Sequence, residues 1–124
     1  MSLYKIRLEL ARDHDFPDGS GDRGYEFTAP LTDDGHIDHD AWKAQREHCR
    51  VRRFWEGEDD EVGHLIRKPG GSWAFHYDLL GDADDDESGY RFGNHVFKPR
   101  EYASIKEHDD ELRTFRVVIV QPLE

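Results

Sequence analysis

The sequence predicts a mainly β protein: about eight antiparallel strands curled into a small barrel or tight sandwich, with one short helix near 39–48. Three observations carry this. Apolar and polar residues alternate with period two in the N-terminal segment. Short apolar runs recur between segments rich in Gly, Pro and Asp, which supply turns. Only one segment carries the signals of a helix start.

The first strand is expected over 4–10, where Tyr4, Ile6, Leu8 and Leu10 share one face and Lys5, Arg7 and Glu9 the other. Residues 13–24 read as a loop around Pro17, and a second strand follows over 24–31. Asp38 suits the N-cap of a helix over 39–48, with Trp42 as its anchor to the core. From Cys49 the chain reads as a meander, with strands over 49–55, 62–68, 72–78, 89–97, 102–106 and 112–121.

Lys98-Pro99-Arg100-Glu101 falls between two strands, followed by Tyr102-Ala103-Ser104-Ile105, a loop and Phe115-Arg116-Val117-Val118. This order resembles part of the small barrels found as second domains of translation factors. The resemblance implies a barrel and carries no function across.

The length of 124 residues fits one domain, 1–124. The formal net charge of -11 repels nucleic-acid phosphates and anionic membranes, which argues against both as partners. No apolar run approaches the roughly 20 residues of a membrane span. One cysteine, Cys49, rules out an internal disulfide. It is expected to be a small buried residue. The alternating N-terminus is not a signal peptide, and with the lone cysteine this points to the cytoplasm.

Pairing the central hairpins symmetrically sets Arg53 opposite His64 and His64 opposite Tyr77, beside Val51, Ile66 and Phe75. Arg53, His64 and Tyr77 then form a polar row on the core side, a candidate pocket for a small anion or carboxylate. The guanidinium fork would clamp the anion, the phenol would donate a hydrogen bond and the imidazole would tune charge. The competing reading has Arg53 at the barrel rim or paired with an acid. The same symmetry sets Arg50 against Arg67 on the outer face. With Arg52, Trp55 and Trp73 this would make a nucleic-acid patch, which the acidic loop 56–61 and the overall charge oppose.

No catalytic signature is present, so a non-catalytic binding or interaction module is preferred. The alternative is a metal-assisted or acid–base enzyme assembled from His64, Tyr77, His95 and Glu101. His36 and His39 with Asp34, Asp38 and Asp40 match no standard metal signature. The acidic run 82–87 lacks the glycine and the bidentate glutamate of a calcium loop, so no cofactor is assigned. The expected partner is a small anionic ligand or another protein. Exposed strands also leave homodimer formation open.

Overall fold

The computed structural model describes residues 3–68, 72–78, 87–90, 96–107 and 111–123, with the backbone path alone for 87–90. The strands are β1 (Leu3–Leu10), β2 (Ser20–Pro30), β3 (Arg50–Trp55), β4 (Glu61–Arg67), β5 (Trp73–Tyr77), β6 (Glu87–Tyr90), β7 (Tyr102–Lys106) and β8 (Leu112–Pro122). The helix α1 spans His39–Gln45 and runs into a 3₁₀ turn, Arg46–His48.

Each strand pairs antiparallel with the next, and β8 pairs with β1, which closes the barrel. Closure decides between the two architectures that the sequence allowed. It also gives every named strand two neighbours. Strand addition by a second copy therefore finds no open edge among the described strands.

Alternation built the barrel as expected. Ile6, Leu8 and Leu10 of β1 are buried, as are Tyr25, Phe27 and Ala29 of β2. Phe75, Ile105, Phe115 and Val117 fill the interior from the other side. Rings dominate: Tyr25 lies 5.3 Å from Phe75 and 5.1 Å from Phe115, and Phe27 lies 5.3 Å from Phe75. Such pairs add to what burial alone contributes.

Asp38 caps α1 by accepting a hydrogen bond from Ala41 N–H at 3.1 Å. Trp42 anchors the helix under the barrel, its indole N–H donating to Leu65 O at 3.0 Å.

Two boundaries differ from the sequence reading. β2 starts at Ser20, earlier than expected, past a bulge where Leu10 pairs with Ser20 while Glu9 pairs with Gly24. The strand expected over 89–97 is described over Glu87–Tyr90, starting two residues earlier. Val96 and Phe97 lie outside it, and 91–95 fall outside the described residues.

The hairpin register differs more. Arg53 pairs with Glu61, Arg52 with Val62 and Arg50 with His64. The reason is the turn. Glu58 N–H donates to Trp55 O at 2.9 Å, and Gly57 adopts φ 87, the left-handed conformation that suits glycine. The hairpin therefore centres on Gly57 and not on the middle of the acidic loop.

The next pair slips by one: Gly63 faces Tyr77, His64 faces His76 and Leu65 faces Phe75. Here a Cβ on Gly63 would come within 2.0 Å of His76 O, so the two strands approach too closely for any side chain. A one-residue slip reverses the faces of a strand. Leu65 is buried, while His64 and Ile66 point outward. Arg67 faces Trp73, not Arg50, so the expected clash of like charges does not arise.

Candidate functional site

Of the three residues expected in one row, Arg53 and Tyr77 are buried on the inner side, and His64 lies half-buried on the outer side. The shared row does not form, because β4 carries its inner face on Gly63 and Leu65. Of the proposed acid–base set, Tyr77 and His64 thus stand on opposite faces. Glu101 is exposed beyond the start of β7, and His95 lies outside the described residues.

The acid expected to satisfy Arg53 exists, and it comes from far along the chain. Arg53 Nε donates to Glu107 Oε2 at 3.3 Å, and Arg53 Nη1 donates to Glu58 at 3.1 Å. Tyr25 OH donates to the same Glu107 oxygen at 2.6 Å. Arg113 Nε lies 3.2 Å from Glu107 Oε1, angled as a charge contact and not as a hydrogen bond. Arg113 also donates to Asp13 at 2.9 Å and to Asp15 at 3.2 Å.

Burial alone lowers the pKa of the Arg113 guanidinium. The Asp13 charge, hydrogen bonds to Asp15 and Asp13, and the Glu107 charge outweigh it and hold the group above its ordinary value. Trp55 caps the cluster, its ring 4.4 Å from the Arg53 guanidinium carbon. Phe16 stands edge-on to Trp55 at 6.2 Å. This end of the barrel is filled with satisfied charge and leaves Arg53 committed to acids.

Sequence parity held a signal for this cluster. Ala103 and Ile105 point inward, so Glu107 continues their row. Arg113 precedes Phe115 and Val117 on the inner row of β8. A Glu and an Arg ending inner rows near an inner Arg53 mark a buried pair.

The outer face of the sheet has its own ladder. Glu26 accepts from Arg52 at 2.6 Å and from Arg7 at 2.9 Å. Arg7 also reaches Glu9, and Arg52 reaches Asp60, both at 2.8 Å. Burial pulls the Glu26 carboxyl pKa up, but the hydrogen bonds from Arg52 and Arg7 with the nearby charges win and hold it below 4.5.

The described arginines without an ion pair are Arg12, Arg46, Arg67, Arg100 and Arg116. In a chain with 28 acids against 17 Lys and Arg, these are the exceptions. Arg46 and Arg67 line one groove of about 460 Å³, beside α1 and the outer face of β4 and β5. His64 and His76, directly opposite each other, form its wall, and Trp42, Leu65 and Ile66 line its apolar part.

His64 is oriented from below. Arg50 Nη1 stands 2.9 Å from His64 Nε2, and Asp78 lies 3.5 Å from His64 Nδ1. An arginine only donates, so Nε2 accepts and the proton of the neutral ring sits on Nδ1, toward Asp78. Arg50 also donates to Asp78 at 2.9 Å. Arg67 faces Trp73 and stacks 5.0 Å from its ring centre, on the Leu65 side of β4, so Arg46 is the groove's unengaged guanidinium.

The other metal and nucleophile candidates resolve into packing. His39 stacks on Trp42 at 5.9 Å, and Asp38 caps the helix. The acidic run 82–87, which lacks the residues of a calcium loop, lies outside the described residues over 82–86. Asp13, His14 and Asp15 cluster closely, but both carboxylates already hold Arg113. Cys49 is fully buried, and burial pushes its thiol pKa up to about 11, far from a reactive thiolate.

Among the described residues no helix is long and apolar enough to cross a membrane. No family model matches the chain, and no curated protein or solved structure shows significant similarity to it.

Proposed function

We propose that this protein is a non-catalytic binding module for a small anion or carboxylate group, with Arg46 and His76 facing the ligand on the outer face, His64 forming the wall beside them and Arg67 at the groove's edge. The observation that carries the reading is a groove lined by two guanidiniums outside any ion pair, Arg46 and the Trp73-stacked Arg67, and by two facing imidazoles, on a protein of net charge -11. Local positive charge in an acidic molecule points to an anionic ligand. The apolar part formed by Ile66 and the edge of Trp42 favours a carboxylate attached to a ring or an aliphatic chain. Glu47 at the rim opposes highly charged anions and favours a single carboxylate.

Arg53 and Tyr77 support this function from inside the wall and do not face the ligand, since Arg53 is already paired with Glu107 and Glu58. Opposite faces for His64 and Tyr77 weigh against the acid–base reading.

Thermal denaturation with benzoate and acetate tests the proposal. Benzoate is expected to stabilise the wild type more than acetate does. Arg46→Gln is expected to weaken that stabilisation by about tenfold in apparent affinity, and His64→Gln, which disturbs the wall, to weaken it less. Equal stabilisation of wild type and both variants, or none at all, overturns it.

A further inference from the structure

Two of the three remaining arginines without an ion pair share another wall of the barrel. Arg12 and Arg116 line a groove of about 490 Å³ between the β1–β2 bulge and the outer face of β7 and β8. Arg116 stands across from Glu9 on β1 and from Tyr102 on β7. Glu9 is its natural cross-strand acid, yet Glu9 has turned to Arg7, which it meets at 2.8 Å. Arg116 is thereby left exposed and facing the groove. Arg12, just beyond β1, brings a second unengaged guanidinium to the same groove.

The neighbours suit an anion richer in oxygen than a carboxylate. Tyr102 is 55% exposed, so its phenol and ring face are open to a ligand. The Thr114 hydroxyl and the Gly19-Ser20-Gly21 segment add polar groups along the groove. One carboxylate fills one guanidinium fork, whereas a phosphate group offers oxygens to two. Asp18 and the Arg7-paired Glu9 also line the groove, oppose any anion and limit affinity.

We infer that the groove of Arg12, Arg116 and Tyr102 binds a phosphate group, with Arg116 as its principal fork and Tyr102 as the surface for what the phosphate is attached to.

Amide NMR titrations with inorganic phosphate, phenyl phosphate and acetate test this. Phosphate is expected to shift Gly19, Gly21 and Thr114, and acetate to leave them still. Phenyl phosphate binding more tightly than inorganic phosphate identifies a monoester as the ligand class, and equal binding identifies free phosphate. Arg116→Gln is expected to weaken binding by about tenfold, with Arg12→Gln weakening it less and Asp18→Asn tightening it. These residues are exposed, so the variants keep the native amide spectrum. Absent shifts, or shifts unchanged in Arg116→Gln and Arg12→Gln, overturn the inference. Arg46→Gln is expected to leave this binding intact, which separates it from failure or success at the carboxylate groove.

Discussion

The two ends of this barrel exclude water by opposite means. At the helix end, Trp42 and Trp73 meet edge to face at 5.1 Å, and Ile37, Phe97 and Cys49 complete an apolar plug. At the loop end, Glu107 stands between two guanidiniums and a phenol, under Trp55 and Phe16. Apolar packing degrades by increments, since each lost group removes only its own contacts. A buried ionic cluster holds only while every charge keeps its counterpart, because an orphaned charge carries its full desolvation cost. The teaching is that near-equal burial hides unequal tolerance to change.

The largest test of that contrast is Glu107→Ala, which removes the buried acid that Arg53 and Arg113 share and leaves them Glu58, Asp13 and Asp15 alone. It is expected to cost about 3–5 kcal/mol in urea unfolding. Added salt should change that cost little, because the cluster is shielded from the solvent ions that screen surface pairs. A cost below 1 kcal/mol, by the same measurement, would mean the two ends tolerate change alike.

At the apolar end, Trp42→Phe keeps a ring but orphans the Leu65 carbonyl. A loss of about 1–3 kcal/mol is expected, smaller than at the ionic end. Should Trp42→Phe cost more than Glu107→Ala, the contrast is reversed.

Titration supplies smaller effects. The Cys49 thiol has a raised pKa in the folded state, so its neutral form contributes stability that is full below about pH 9 and lost as pH rises toward about 11. Cys49→Ala is expected to flatten that alkaline decline, and native wild type is expected to resist alkylation until it unfolds. Glu26 behaves in the opposite sense. Its depressed pKa contributes stability that is full above the ordinary carboxyl value of 4.5 and is lost as pH falls through the lower folded value. Wild type and Glu26→Gln are therefore expected to differ at neutral pH and to converge in acid, as measured by urea midpoints. Curves that stay parallel would separate Glu26 from the acid response.

Much of this architecture was legible in the chain. Alternation in Tyr4–Leu10, and the Asp38 cap before Trp42, were local signals and led to the right elements. The register of β3 against β4 was not. It depends on which residue of an acidic, turn-rich loop takes the left-handed conformation, and Gly57 did so off the centre of symmetry. That single choice moved His64 away from Arg53. The partner of Arg53 was hidden for another reason. Glu107 lies 54 residues away, and only closure of the sheet brings β7 and its following loop to it. The unpaired arginines were equally illegible, because a sequence gives the number of charges and not which of them have met.

The seam between β1 and β8 has a consequence for how the molecule is made. Leu123 N–H still donates to Leu3 O at 3.1 Å, so β8 lies along β1 over its whole length. One side of β1 stays unsatisfied until β8, more than a hundred residues later, reaches it. This long-range pairing makes closure the slow event of folding. It also sets the two ends near enough that a brief linker could join them, and the opening could then be moved to a turn such as the one at Gly57.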